Sequence, residues 1–258
     1  MTPPLSCTDL HLQFGKTNVL NGISVDLPKG KISAIIGPNG SGKTSLLRCM
    51  GRLQRPSSGE VQLEGQTIAK MNTRDVARRV ALLPQTVTAP AGMRVGELIT
   101  RGRTPHQSPI RQWSTKDEKI VRHAMTSVGL AERADHLLED LSGGQRQRAW
   151  IAMVLAQDTD ILLLDEPTTY LDLTHQRDVL SLIQKLQAER QLTVAMVLHD
   201  INLAARFSDH IIALKDGKLL TEGDPMNVIT QTSIQNIYEL DCNVLTDPHS
   251  GMPHVIPK

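Results

Sequence analysis

Cysteine is scarce and unpaired in this sequence: Cys7, Cys49 and Cys242 are odd in number and far apart. That excludes a disulfide framework and any CxxC redox or zinc pair, and a reducing cytoplasm is the compartment that fits. Net charge is equally slight. Twenty-eight Lys and Arg against 27 Asp and Glu leave +1, so no long-range field draws DNA, RNA or anionic lipid to the surface. Partners have to be recognised locally. No apolar run approaches a membrane span, the longest, such as Val194 to Leu198, being strand-sized. The opening segment MTPPLSCTDLHLQ has neither a basic leader nor an apolar secretory core. If the protein works at a membrane, other chains hold it there. Aromatic residues are only 2% of the chain, which makes Phe14, at the end of an early strand, conspicuous.

What is present suffices for one large α/β domain with a smaller appended subdomain: 258 residues, 40% apolar and 21% charged. Short β-like stretches at His11 to Phe14, Ile23 to Leu27 and Val61 to Leu63, separated by turn residues, read as an N-terminal antiparallel sheet. Ile32 to Ile36 reads as a buried strand feeding a Gly-rich loop and then a helix from Thr44 to Met50. A further buried strand, Val80 to Leu83, ends at Pro84-Gln85. From there Pro90, Gly92, Gly96, Gly102, Pro105 and Pro109 punctuate the chain as far as residue 114. A helix follows, with Thr115 and Glu118 as its expected capping box, Ile120, Val121, Ala124, Met125 and Val128 on one face, and Gly129 at its end. Residues 86 to about 140 thus read as a helical insertion. Beyond it, strands Ile161 to Leu164 and Thr193 to Leu198 alternate with helices, the pattern of a parallel sheet covered on both faces. A hairpin turns at Asp216-Gly217, and the tail from Asp241 reads as an ordered loop or extended strand.

Gly37-Pro38-Asn39-Gly40-Ser41-Gly42-Lys43-Thr44 matches GxxxxGK[ST] in the strand-loop-helix setting that this motif requires. Its glycines let backbone N–H groups wrap phosphates, Lys43 neutralises the β- and γ-phosphates, and Thr44 offers a hydroxyl to Mg²⁺. Four apolar residues carry Asp165 and Glu166 to the end of a buried strand, where carboxylates need a metal or donor to offset desolvation. Asp165 is expected to hold Mg²⁺ through water, and Glu166 to act as general base toward the attacking water. About twenty residues upstream of these carboxylates, Leu141-Ser142-Gly143-Gly144-Gln145 opens a helix with bare N–H groups and the positive dipole end, a second phosphate-reading feature.

Together these segments resemble the ATP-binding cassette (ABC) ATPase family, and nearly the whole chain takes part. The resemblance implies a P-loop NTPase fold with a mostly parallel core sheet, an N-terminal antiparallel β-subdomain and an inserted α-helical subdomain, within one nucleotide-binding domain over 1–258. It implies that Ser142, Gly143, Gly144 and Gln145 read the γ-phosphate of ATP bound to a second copy, so that function requires a head-to-tail dimer. Gln85 falls at the family's Q-loop position, reaching Mg²⁺ and the attacking water. His199 falls at the H-loop position, sensing the γ-phosphate. Tyr170-Leu171-Asp172 matches the D-loop, with Asp172 crossing to the partner, although a plain N-cap role also suffices for Asp172. Phe14 takes the adenine-stacking position, where many members have tyrosine and where a core role is the alternative. Thr44-Ser45 stands for the commoner Ser-Thr, and Ser45 is counted with the nucleotide-binding residues.

Arg101-Gly102-Arg103-Thr104-Pro105-His106-Gln107, Gln112-Trp113-Ser114, the run Gln145 to Gln157, Thr168 to Leu173 with His175-Gln176, Val197 to Phe207 and Asp247-Pro248 through Pro257 resemble the ATPase subunits of bacterial iron(III)-siderophore importers. That subfamily implies two membrane permease subunits as partners, a substrate-binding protein outside the membrane, no nucleic acid, and a place on the cytoplasmic face of the inner membrane. Residues 86 to 114 would form the groove for a short permease helix. Haem or vitamin B12 import is the neighbouring alternative, and a soluble ABC ATPase acting on DNA or ribosomes the distant one. Arg101, Arg103, Arg111, Arg146 and Arg148 read as structural or interface pairing. Cys242, His249 and His254 are too loosely spaced for a metal site.

Overall fold

The computed structural model describes residues 2–108, 113–169 and 171–258. Pro109, Arg111, Gln112 and Tyr170, named above, lie outside the described residues. The chain opens with two long strands, β1 (Leu5–Phe14) and β2 (Thr17–Leu27), then β3 (Ile32–Ile36) and helix α1 (Lys43–Met50). It continues through β4 (Ser58–Leu63), β5 (Gln66–Thr67), α2 (Thr73–Ala77) and β6 (Val80–Leu83). Helices α3 (Val95–Thr100), α4 (Thr115–Ser127) and α5 (Gly143–Ala156) separate β6 from β7 (Ile161–Leu164). Then come α6 (Leu173–Arg190), β8 (Thr193–Val197), α7 (Ile201–Phe207) and the hairpin β9 (His210–Lys215) with β10 (Lys218–Gly223). Helices α8 (Pro225–Val228) and α9 (Gln231–Tyr238) precede the closing pair β11 (Cys242–Thr246) and β12 (Pro253–Pro257).

The central sheet runs β10-β9-β3-β8-β7-β6, with every neighbouring pair parallel except β9 with β10. Alternation along its strands fills two cores. Ile32, Ala34 and Ile36 of β3 and Leu162 and Leu164 of β7 join the core under α5, α6 and α7, whereas Ile35, Ile161 and Leu163 join the one under α1 and the antiparallel sheet. With both faces covered, the strands have no polar side, as their sequences require. The second sheet, β2-β1-β4-β5, is antiparallel. Its first strand extends further than the sequence pattern indicates because Asp9, with φ of 47°, lies in a register shift between Cys7 and Leu10. That bulge breaks the alternation by which strands are read.

The helical insertion packs α3 and α4 against α5. Its cap differs from the expectation by one residue: Ser114, not Thr115, caps α4, and Asp117, not Glu118, returns the bond to the Ser114 N–H. Asp117 also accepts from Arg103 Nε at 2.8 Å, and Arg103 donates to the Ala156 carbonyl at the end of α5 from 2.8 Å. Both side chains are 2% exposed. Burial alone would raise Asp117, yet the bonds from Ser114 and Arg103 hold its carboxyl below the ordinary range. Arg148 pairs with Asp178, and Arg146 donates to the Glu139 and Leu141 carbonyls, so these three arginines serve internal pairing. The tail is a paired hairpin of β11 and β12. Among the described residues no helix is long and apolar enough to cross a membrane, and no group of His, Cys, Asp or Glu could alone hold a metal ion.

Candidate nucleotide-binding site

The parallel strands deliver their C-terminal ends to one edge of the sheet, and each end carries a polar residue. β3 ends in the loop Gly37 to Gly42, and α1 follows with Lys43 and Thr44 in its first turn. β7 is followed by Asp165 and Glu166, β6 by Gln85 and β8 by His199. Residues drawn from four separate stretches therefore meet, as ligand sites do at the carboxyl ends of such strands.

Thr44 Oγ1 donates to Asp165 Oδ1 at 2.8 Å. The other carboxylate oxygen, Asp165 Oδ2, and the hydroxyl of Ser41 are buried without a hydrogen-bond partner among the described residues. The nearest cation to Oδ2 is Arg48 Nε at 3.9 Å. Burial, first of all, pushes the Asp165 carboxyl up, and the neighbouring Glu166 adds to this against the pull of Thr44 and Arg48. A buried, under-satisfied oxygen beside a threonine hydroxyl is a pair of hard-oxygen donors whose chemistry fits Mg²⁺.

Lys43 Nζ donates to the carbonyls of Gly37 and Pro38, both at 2.9 Å. Burial lowers its pKa, countered by Glu166 and Asp165. These carbonyl bonds hold the ammonium over the loop that phosphates would enter.

Glu166 is held on all sides. His199 Nε2 lies 2.7 Å from Oε1, while Gln85 Nε2 and Thr169 Oγ1 donate to Oε2 at 2.7 and 2.8 Å. Burial alone would raise this carboxyl, but the bonds from His199, Thr169 and Gln85 outweigh it and keep Glu166 below its ordinary value. Its backbone has φ of 54° just ahead of Pro167, a conformation costing about 1–3 kcal/mol for a non-glycine residue and typical of positions whose side chain is aimed.

The residues Ser142 to Gln145 open α5 elsewhere. Ser142 Oγ accepts from Gln145 N–H, and Gln145 Oε1 accepts from Ser142 N–H, a reciprocal capping box that closes on itself. A Cβ on Gly144 would come within 2.6 Å of His175 Cδ2, so any side chain here has to displace the His175 ring. Asp172 caps α6 through His175 N–H and also faces His175 Nδ1 at 2.7 Å, so the capping reading of Asp172 holds. Phe14 is 53% exposed, which removes the core reading of its ring.

Sequence reasoning pointed to Lys43, Thr44, Gln85, Asp165, Glu166 and His199; hydrogen bonds join Thr44 to Asp165, and Gln85 and His199 to Glu166, while Lys43 bonds to the loop carbonyls of Gly37 and Pro38. It did not bring Ser142 to Gln145 into that cluster within one chain. It missed Tyr238, whose hydroxyl accepts from Gly37 N–H at 2.9 Å, and His175 behind Gly144. The sole hint for Tyr238 was its rarity in an aromatic-poor chain.

Two residues after Gln85 in the chain begins the lining of a groove of about 240 Å³, which includes Val87, Ala89, Met93, Leu138, Arg146 and Trp150. It joins the start of the insertion to the first turns of α5.

The family model described as ABC transporter matches residues 20–169. The chain is 48% identical over 248 residues to the ferric enterobactin transport ATP-binding protein FepC of Escherichia coli (strain K12), covering 96% of this chain and 92% of that one. It is 46% identical over 257 residues to the petrobactin import ATP-binding protein FpuD of Bacillus anthracis, covering 100% of this chain and 94% of the other. Among solved structures, an inward-facing metal-chelate type ABC transporter superposes over 100% of this chain and 98% of that chain with a TM-score of 0.86 at 26% identity.

Proposed function

The chain belongs to the ABC transporter family, and from that premise we propose that two copies sandwich two ATP molecules and hydrolyse them to drive uptake of iron(III)-siderophores. It is an ATP-binding subunit and an ATPase, of the kind that works as a dimer with membrane permease subunits. The observation that carries the site reading is the hydrogen-bonded chain Gln85–Glu166–His199 beside Thr44–Asp165. The cargo reading rests on the enterobactin and petrobactin relatives.

ATP phosphates enter the loop Gly37 to Thr44, with Ser41, Gly42 and Ser45 contributing and Lys43 moving from the loop carbonyls to the β- and γ-phosphates. The backbone N–H groups of Asn39 and Gly40, in the same loop, would donate to that anion. Thr44, Asp165 and Gln85 would hold Mg²⁺, which when bound neutralises phosphate charge and offsets the buried Asp165 carboxylate. Phe14 stacks its exposed ring on adenine.

The partner's Ser142 to Gln145 and Asp172 complete each site across the dimer. Water attacks the γ-phosphorus, the bond to the ADP oxygen breaks, and the water's proton passes to Glu166. In the resting arrangement Glu166 accepts three hydrogen bonds, one on Oε1 and two on Oε2, which leaves Oε1 a lone pair for the attacking water. Gln85 lies where the insertion begins, and the groove whose lining starts two residues later is the surface we assign to a short permease helix. Movement of that helix would shift Gln85 and so free or engage Glu166. The near-neutral charge and the absence of any helix beyond 13 residues in the insertion, among the described residues, speak against a coiled-coil ATPase of DNA or ribosomes.

Uptake of radiolabelled iron, offered with several siderophores, haem or cobalamin to cells carrying wild-type protein or Lys43→Ala, tests this reading. Loss of one iron chelate alone supports it. Loss of haem or cobalamin alone moves the protein to the neighbouring importers, and unchanged uptake throughout overturns the transport reading.

A further inference from the structure

The first residue of the phosphate loop and the helix behind His199 both hang on the C-terminal segment, from two independent sets of bonds. At the loop, Gly37 N–H donates to the Tyr238 hydroxyl at 2.9 Å. From the other side Gly37 backs onto β9 so closely that a Cβ would meet the Leu214 carbonyl oxygen at 2.1 Å, and its φ of 144° is open to glycine. The Tyr238 phenol, pushed up to about 12 chiefly by burial, stays a neutral acceptor across the physiological range. Helix α9, which ends at Tyr238, is tied back to β9 by Lys215 Nζ, which donates to the Asn236 carbonyl and Glu239 Oε1, each at 2.8 Å.

At the second place, Asn202 lies in the first turn of α7, three residues after His199. Its carboxamide accepts from Val255 N–H at 2.7 Å and donates to the Val255 carbonyl at 3.1 Å, as a neighbouring strand would. Asp200 caps the same turn, accepting from the N–H groups of Asn202 and Leu203. Val255 is buried, pairs with Val244 of β11, and β11 packs on α9. Tyr238 and Val255 therefore belong to one packed unit: α9, β11 and β12.

We propose that this unit is a brace for the nucleotide site, with Tyr238 a positioning residue for the phosphate loop and Asn202, clamped to Val255, a positioning residue for His199. A hairpin that only covered apolar surface would need neither the hydroxyl on Gly37 nor a two-way amide clamp on a backbone. This inference rests on the roles assigned above to the loop and to His199. Each end governs a different quantity: Gly37 sets the shape of the phosphate cradle and hence ATP affinity, whereas His199 acts on Glu166 and hence on the chemical step.

The test uses the full-length protein, with MgATP turnover followed by phosphate release. Tyr238→Phe keeps the ring and removes the acceptor, and it is expected to raise KM for ATP about 5–10-fold with kcat changed less than about twofold. Asn202→Ala is expected to lower kcat about 5–10-fold with KM changed less than about twofold. Lys43→Ala and His199→Ala serve as controls. If those two leave binding and turnover intact, the underlying site reading fails. If they behave as assigned and either brace variant lacks its own split, whether through no effect or through KM and kcat worsening together with a lowered Tm, the brace is overturned.

Discussion

His199 Nε2 lies 2.7 Å from Glu166 Oε1, across the ends of two neighbouring parallel strands. The pair explains why a carboxylate in a partly buried setting is held below its ordinary value: the imidazole, with Thr169 and Gln85, stabilises the charge more than burial penalises it.

Removing the carboxylate's charge while keeping its shape should separate binding from chemistry. Glu166→Gln is expected to bind ATP with affinity within a few-fold of wild type and to lose roughly 10²–10⁴ in kcat. Phosphate-release kinetics alongside equilibrium ATP binding check this, and an unaffected rate would remove Glu166 from the role of base.

His199→Ala should both slow turnover, by roughly 10²–10³-fold, and move the pH profile. The bonds from His199 depress Glu166, so without them its carboxyl rises toward the ordinary range. A base protonates at higher pH when its pKa is higher, and the acid limb of the residual kcat should therefore shift upward. A limb that stays put or moves down contradicts the pairing.

Asp165 carries the opposite shift, raised chiefly by burial. A carboxyl with a raised folded value weakens stability as pH climbs from the ordinary carboxylate range through that value, because its charge is then imposed on a buried site. Asp165→Asn should accordingly leave the nucleotide-free protein as stable as wild type or more so at pH 7.5, while abolishing Mg²⁺-dependent turnover. Thermal melts decide: a fall of more than about 4 °C, roughly 1–2 kcal/mol for a chain of this size, contradicts the account.

Arg103 and Asp117 present the buried-pair case. Asp117→Ala leaves the guanidinium buried and unpaired and should cost about 3–5 kcal/mol, whereas replacing both residues with apolar ones of similar volume should cost much less. Because Asp117 is depressed, its contribution is present above the ordinary carboxylate value and is lost as pH falls through the folded value. Denaturant titrations of the two variants and the wild type at pH 7 and at a pH well below the ordinary carboxylate value read both effects.

Gly144 offers a way to tell packing from partner recognition. Gly144→Ala drives a methyl into His175 and should destabilise by about 1–3 kcal/mol. Adding His175→Ala should restore the melting temperature without restoring turnover, since the added methyl still obstructs the partner's γ-phosphate. Recovery of both together would mean that the glycine serves the fold alone.

The parts of this site that were legible in the sequence are those whose chemistry is local. Gly37 to Thr44 carries its own strand, loop and helix, and four apolar residues announce the strand before Asp165. That the central strands are parallel and covered on both faces follows from the alternation of apolar runs with helices, whereas their order in the sheet does not. Contacts made at long range left no spacing to read: Tyr238 reaches Gly37 from 201 residues away. The cap at Ser114 was missed by one position because two adjacent residue pairs fit the same pattern, and only the demand of Arg103 for Asp117 chooses between them. Exposure of Phe14 is likewise a property of the assembled sheet, since β1 ends at its edge.

The claim on which the rest depends is that each site is built from two copies, and light scattering on Glu166→Gln tests it most directly. The account predicts that the 28.4 kDa chain doubles its mass in saturating MgATP, remains single in MgADP, and fails to double when Ser142→Arg is added. A mass that stays at one chain in MgATP, or a dimer indifferent to both nucleotide and Ser142→Arg, would contradict it.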